Sequence, residues 1–363
     1  MHILIVNPFG IGDVLFTTPL IHAIKDKFPL DRLGYLCNKR TAPLLENNPF
    51  INEVFIYERD DFQLALSVSW FKWFNEFSSF IKRIKVCKFD LAIDLSLTTH
   101  LGFFVVLAGI RERVGYNYKN RGVFLTRSIK LSGYEGKHIV EYYNGLLKLI
   151  GIELKYQDLE LYLKDEDTQY AENIFSEQRV DKSAPVITIA PGGGASWGIE
   201  AKIKRWPEEK FALLVNKIIE KYNVTVIIIG DLKDKDLLSN IETGLKYKVI
   251  NLTGKTTLTQ SAAIIDSADL FIGNDGGLLH IASALKRKTI SFFGPVDPKA
   301  YGPYPPDENR HIVLRKNFEC SPCYRQFRFS PCQRDKECLE KIDVEGAYGA
   351  VNKLLSQKKE VFY

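Results

Sequence analysis

Residues 270–303 read LFIGNDGGLLHIASALKRKTISFFGPVDPKAYGP, and this stretch decides the fold. Leu270 to Ile272 is a short apolar strand, Gly273-Asn274-Asp275-Gly276-Gly277 is a tight polar turn, and a helix starts at about Leu278. A second strand from Thr289 to Phe293 and a Gly-Pro-rich loop follow. Asn274 or Asp275 is placed to cap the helix, because a short side-chain oxygen accepts from the free N–H groups of a first turn. Gly276 and Gly277 leave that backbone bare, so a ligand can come within hydrogen-bonding distance of it. A bare helix N-terminus at the carboxyl end of a strand is where open α/β sheets bind anions. His280 falls in the first helical turn, at the same mouth. An ordinary strand–turn–helix connection would look the same locally, so the neighbouring segments have to decide.

Working outward through the C-terminal half, the same unit recurs. Pro185 to Ala190 is an apolar strand, and Pro191-Gly192-Gly193-Gly194-Ala195-Ser196 after it can wrap phosphate oxygens with backbone N–H groups. No Gly-Lys-Ser/Thr follows, which disfavours an ATPase. Lys202, Lys204 and Arg205 stand just before Trp206-Pro207, and Pro207 opens a helix with Phe211, Leu214, Val215, Ile218, Ile219 and Tyr222 on one face. Those cations can balance the charge of a diphosphate leaving group, or be solvated loop charges. Val224 to Ile229 reads as a central parallel strand. Asp231 or Asp234 beyond it could bind ribose hydroxyls or cap a helix. Val249 to Asn251 is a further strand, and Thr256 or Thr257 beyond it could touch phosphate or cap the helix near Leu258.

The N-terminal half has the same texture. His2 to Val6 is a buried strand, followed by the loop Asn7 to Asp13. Gly10-x-Gly12 begins a dinucleotide fingerprint, but Leu15 stands where its third glycine belongs, and no acidic residue ends the strand Leu33 to Cys37. NAD binding is therefore disfavoured. Asp13 is an acid beside two glycines at a strand's carboxyl end, either a helix cap or a carboxylate able to take a proton from an attacking hydroxyl. Thr18 is read as an N-cap with Pro19 at the first helical position; a helix from Asp13 kinked at Pro19 is the alternative. Val54 to Tyr57 and Leu91 to Leu95 are strands. Between them Phe71, Phe74, Phe77, Ile81 and Ile84 recur at helical spacing among Lys72, Lys82, Arg83, Lys85 and Lys88. Such a helix packs on the sheet with a solvated basic face, or rests on an anionic membrane. Arg111, Arg113, Lys119, Arg121 and Arg127 border Val114-Gly115-Tyr116 and could meet acidic sugars or phosphates.

A chain of 363 residues fits two domains. With 45% hydrophobic and 26% charged residues it reads as a soluble globular protein, and no apolar run approaches the length that spans a bilayer. The start, MHILIVNPFGIGD, is a first strand rather than a signal peptide, so a cytoplasmic location is expected. The net charge of +5 permits attraction to anionic lipid or phosphate without arguing for nucleic acid, and no nucleic-acid partner is expected. Cys37 and Cys87 sit in apolar surroundings and read as buried thiols. Cys320, Cys323, Cys332 and Cys338 form a cluster that could hold structural zinc, stay as thiols, or pair.

The string D-G-G-x-x-H-x-A-x-A at Asp275 to Ala284, followed by F-F-G-P-x-D-P-x-x-x-G-P at Phe292 to Pro303, resembles the glycosyltransferase family 9 heptosyltransferases. G-x-G-D at Gly10 to Asp13 and K-x-W-P at Lys204 to Pro207 match the same family, so the resemblance runs over nearly the whole chain. It implies an α/β, GT-B fold: two Rossmann-like domains facing each other across a cleft. The N-terminal acceptor domain is expected at residues 1–165 and the nucleotide-sugar domain at 166–343. A closing helix is expected within 344–363, and it could pack back on the first domain.

The resemblance also implies the chemistry. An inverting, metal-independent transferase would move heptose from ADP-L-glycero-D-manno-heptose to the Kdo or heptose inner core of lipopolysaccharide. No cofactor is needed for catalysis, the ADP-sugar being donor substrate. The acceptor is a lipid A–Kdo type saccharide, which brings peripheral contact at the cytoplasmic face of the inner membrane. Asp13 is the general base and Lys204 stabilises the diphosphate. Gly193, Gly194, Asp231, Asp234, Thr256, Asp275, Gly276, Gly277 and His280 line the donor site, and Gly12 and Arg121 the acceptor site. Another nucleotide sugar, or a nucleotide-sugar epimerase on the same scaffold, is the alternative.

Overall fold

Six extended runs of the first half become parallel strands: β1 (Ile3–Val6), β2 (Leu33–Cys37), β3 (Glu53–Ile56), β4 (Leu91–Asp94), β5 (Glu112–Tyr118) and β6 (Arg127–Leu131). Their order is β3-β2-β1-β4-β5-β6. The central strands are covered by helices on both faces, which is why they read as unbroken apolar runs rather than alternating ones. The second half repeats the winding with β7 (Val186–Ala190), β8 (Thr225–Ile228), β9 (Ile250–Asn251), β10 (Leu270–Asn274), β11 (Lys288–Phe293) and β12 (His311–Arg315), in the order β12-β11-β10-β7-β8-β9. The computed structural model describes residues 1–153, 158–193 and 195–356. It divides into the units Met1–Gln157 and Asp158–Tyr363, each built on one of these sheets. The division falls a few residues before the expected one; Asp158 already pairs with Lys286 of the second unit at 3.3 Å.

In the first unit Thr17, not Thr18, is the residue before the Thr18–Lys27 helix, with Pro19 in its first turn. A short helix, Ile11–Leu15, precedes it. Both threonine hydroxyls turn back on that short helix: Thr17 donates to the Val14 carbonyl at 2.6 Å and Thr18 to Leu15 at 2.7 Å. The aromatic helix spans Trp70–Val86. Its inward face is not the expected one. Phe80 and Ile84 are buried and Ile81 packs beside them, with Phe77 set against Phe104 at 4.9 Å. Phe71 and Phe74 are exposed. Burying the Phe77–Ile84 side lets the helix join the ring cluster around Tyr57 and Phe62, an arrangement local spacing does not reveal.

The core of the second unit gathers around Trp206, fully buried, whose ring stacks on Phe292 at 4.1 Å and whose indole N–H donates to the Ile342 carbonyl at 3.0 Å. The closing helix, Val344–Ser356, buries Ala347, Ala350, Val351 and Leu354 in this second core. Its partner there is the Glu208–Tyr222 helix: Tyr222 donates to Asn352 at 2.6 Å. Removing a ring as large as Trp206 from such a core typically costs about 3–5 kcal/mol.

No described helix is long and apolar enough to cross a membrane. β13 (Tyr324–Arg325) and β14 (Arg328–Phe329) form a small hairpin among the four clustered cysteines. Cys320, Cys323, Cys332 and Cys338 are free thiols. Among the described residues, no three His, Cys, Asp or Glu side chains are grouped as metal ligands. Cys37 is buried, which pushes its thiol up to about 12, whereas Cys87 is only half-buried.

Candidate active site

In the second unit β7 and β10 are neighbours, and the strand order runs outward from them in opposite directions. The carboxyl ends of two such strands form the crevice where open sheets take ligands. Gly192 and Gly193 leave β7 there, and Asn274 to Gly277 leave β10. Asn274 ties the two together. Its Nδ2 donates to the Pro191 carbonyl at 2.7 Å and the Gly192 carbonyl at 3.2 Å, while its Oδ1 accepts the Trp206 N–H at 2.9 Å. One buried amide thus holds the glycine loop, the Lys204-Trp206 segment and the strand end in register.

The helix after β10, Gly277–Ala284, has Gly276 in its cap position and no side-chain cap. The expected capping by Asn274 or Asp275 does not occur, because both side chains are engaged elsewhere. Lys204 Nζ lies 2.5 Å from Asp275 Oδ2, with both side chains buried. His280 is buried beside them; burial, and then the charge of Lys204, push its imidazole down to about 3, so the ring is neutral near pH 7.

Other donor-side candidates have defined tasks. Asp234 accepts from Arg205 at 2.9 Å and from the Asp231 N–H at 3.1 Å, and burial holds its carboxyl above the usual range despite Arg205. A Cβ on Gly192 would stand 2.2 Å from Asp234 Oδ2, so glycine there is a packing requirement. Gly193 has a φ of +128°, which favours glycine for its own reason. Asp231 is exposed and caps the next turn by accepting the Lys233 N–H at 3.0 Å. The Thr256 hydroxyl lies 2.7 Å from that of Ser261, and Thr257 caps the Leu258–Asp266 helix. Gly194 lies outside the described residues.

In the first unit β1 and β4 are the corresponding pair. Asp13 sits in the Ile11–Leu15 helix, half-buried, with Oδ2 accepting the Gly10 N–H at 3.0 Å. Asn7 Nδ2 donates to the Asp13 carbonyl at 3.0 Å and to the Tyr35 hydroxyl at 3.1 Å. Asn38, from the loop after β2, donates to the carbonyls of Pro8 and Phe9 at 2.9 and 2.6 Å. Arg40 follows, its guanidinium 3.8 Å from where a Gly10 Cβ would be. Gly12 shares the short helix with Asp13, and Arg121 is exposed, over the Tyr118 ring at 5.6 Å.

Two residues at these mouths, Asp94 and Arg40, were missed. Asp94 ends β4 opposite Val6 of β1; it is buried, accepts the Ser96 N–H at 2.9 Å, and is pushed up to about 6 by burial. Its only sequence signal is an acid at the end of an apolar run. Arg40 had no readable signal beyond loop position, and Asn274, read from the sequence as a helix cap, is instead the clamp between the two strand ends.

Two open six-stranded parallel sheets wound alike are the architecture of glycosyltransferases of the GT-B class. More particularly, the chain belongs to glycosyltransferase family 9 (heptosyltransferase), whose sequence model matches residues 77–332. That match includes Lys204, Asp275 and His280. Lipopolysaccharide heptosyltransferase 3 of Escherichia coli K12 is 27% identical over 355 residues, spanning 95% of this chain and 96% of the relative. Among solved structures, the family 9 glycosyl transferase of Veillonella parvula shares the fold with a TM-score of 0.82 at 20% identity, over 98% of this chain and 97% of the other. The E. coli ADP-heptose lipopolysaccharide heptosyltransferase II shares it with a TM-score of 0.75 at 22% identity, over 98% of both chains.

Proposed function

We propose that this enzyme transfers L-glycero-D-manno-heptose from its ADP donor to the Kdo or heptose inner core of lipopolysaccharide, with inversion and without a catalytic metal. The acceptor hydroxyl oxygen attacks C1 of the sugar as the C1–O bond to the β-phosphate breaks. The Asp13 carboxylate takes the hydroxyl proton, and ADP leaves with the bonding pair. Lys204, with the amides of Gly193, Gly276 and Gly277, faces the charge that grows on the diphosphate. Asp275 orients Lys204 and a sugar hydroxyl. Neutral His280 offers a hydrogen bond rather than a charge. Asp231 and Thr256 complete the donor side, and Gly12 and Arg121 the acceptor side. A lipid-linked acceptor would bring the protein to the cytoplasmic face of the inner membrane as a peripheral enzyme.

The observation that carries this reading is the buried Lys204–Asp275 pair beside glycine amides at the β7/β10 switch point. The relatives' names supply the sugar, the nucleotide and the lipopolysaccharide context. A donor screen tests it. ADP-, GDP-, UDP- and dTDP-sugars are incubated with the protein, with and without core lipid, and nucleotide release is followed. Release of ADP only when donor and core lipid are both present supports the assignment. Conversion of the donor without acceptor would point to an epimerase instead, and release from another nucleotide would move the assignment to a different sugar.

A further inference from the structure

The first unit carries an apolar corner that its own core leaves uncovered. The Arg59–Val68 helix ends there, Ser69 is extended, and the Trp70–Val86 helix begins. Phe71 is 74% exposed, Leu64 64%, Val68 63% and Trp70 58%. Trp70 and Phe74 stack at 5.4 Å, so the outer rings are mutually supported rather than splayed. Isolated exposed hydrophobics are ordinary, but a contiguous group at one corner marks an interaction surface.

The charge pattern says what fits it. On the longer helix Phe71, Phe74, Ser78, Lys82 and Lys85 recur at spacings of three and four, which places them along one stripe. Both phenylalanines and both lysines are exposed. The stripe is therefore aromatic at one end and cationic at the other. Glu76, the acid of this helix, sits off the stripe beside Lys72, 4.0 Å away. Residues 59–88 carry six Lys or Arg against three Asp or Glu.

We propose that this corner is a membrane-docking surface for an anionic lipid bilayer. Trp70, Phe71, Phe74 and the Leu64–Val68 edge enter the headgroup–acyl boundary, and Lys82 and Lys85 meet lipid phosphates. Amphipathic helices with aromatics beside lysines seat on anionic leaflets in this way. The inference deepens the reading of a lipid-linked acceptor and rests on it: a surface on the acceptor-side unit would raise the local concentration of a substrate confined to the membrane.

Vesicle co-sedimentation tests it, using phosphatidylcholine alone or with phosphatidylglycerol. Binding is expected to the anionic vesicles only, and to weaken as salt rises. Each lysine removed should lower partitioning about fivefold, so Lys82→Ser with Lys85→Ser should lower it about 25-fold. Phe71→Ser with Phe74→Ser should lower it at least roughly tenfold. Both pairs lie on the surface, and unchanged Tm values check that they fold.

Three outcomes would overturn the proposal: equal binding to neutral vesicles, binding indifferent to both variants, or a lipid-free dimer in sedimentation velocity that Phe71→Ser abolishes. The last would assign the corner to a second copy of the chain. Turnover measured in parallel separates the two readings. The variants should be normal on a delipidated, water-soluble core saccharide and slow on vesicle-embedded core. Vesicle binding without transfer to either acceptor would sink the proposed reaction and leave the docking surface standing.

Discussion

Lys204 Nζ and Asp275 Oδ2 stand 2.5 Å apart in a buried pocket that also holds His280. A pair so enclosed is costly to break, because the survivor is left as an uncompensated buried charge. Asp275→Ala should lose about 3 kcal/mol or more of stability, and Lys204→Met a similar amount. The double variant Lys204→Met with Asp275→Ala should be more stable than the sum of the single losses predicts. Denaturant unfolding of the four proteins measures the coupling. Additive losses would show that the pair does not interact. Lys204→Met should also lose most of the thermal stabilisation by ADP.

Asp13 caps its helix through the Gly10 N–H at 3.0 Å, and the proposed reaction asks it to take a proton as well. Asn keeps an oxygen for the cap but cannot accept the proton. Asp13→Asn should change stability by less than about 1 kcal/mol while lowering kcat by about 10²–10⁴. ADP affinity should be unchanged. Near-normal turnover would leave Asp13 with the capping role alone.

The glycine loop after β7 is held by contacts that tolerate little change. Gly192→Ala would drive a Cβ into the Asp234 carboxylate, 2.2 Å away, and should destabilise by about 2–3 kcal/mol. Asn274→Ala removes both donated bonds and the acceptor for Trp206, with a loss of about 2–4 kcal/mol. Each should weaken ADP binding with the loop. Thermal shifts with and without ADP report both effects; a Gly192→Ala protein as stable as the parent would contradict the packing.

Acid should unfold the second unit early. His280 is pushed down to about 3 and His311 to about 4, in both cases chiefly by burial, from an ordinary value of 6.5. Protons then bind the unfolded chain more readily than the folded one, so the stability these rings support is full above pH 6.5 and falls as pH drops below it. Each contributes a slope of about 1.4 kcal/mol per pH unit in that window. Tm followed from pH 7 to pH 4.5 should fall, and less steeply in His280→Gln. An identical slope in that variant would exclude His280 as a source.

Asp94 has the opposite sign. Burial raises its carboxyl from 3.8 to about 6, so the folded state holds the proton more tightly between those values. Its contribution to stability is greatest below about pH 4 and is lost as pH rises through 6. Asp94→Asn retains an acceptor for the Ser96 N–H and should stabilise the protein at pH 7.5 by on the order of 2 kcal/mol. The gain should disappear at pH 4. Equal gains at both pH values would contradict the shift.

By itself the sequence determined the parts whose causes are local. Apolar β-branched runs announced the central strands β1, β4, β7, β8 and β10, because a strand covered on both faces must be apolar at every position. Pro207 and the spacing from Phe211 to Tyr222 announced the helix that follows, and the glycine turn with its D-G-G-x-x-H string announced a strand–turn–helix unit and the family. Only the tertiary structure decided which distant groups meet. It gave Lys204 its buried partner, took Asn274 and Asp275 away from helix capping, set Asp234 on Arg205, and buried Asp94 where only an acid at a strand end had been visible. It also turned Phe71 and Phe74 outward and laid the closing helix on the second core. Backbone propensity acts over a few residues, whereas charge pairing and desolvation depend on chain segments that come together only when the sheets form.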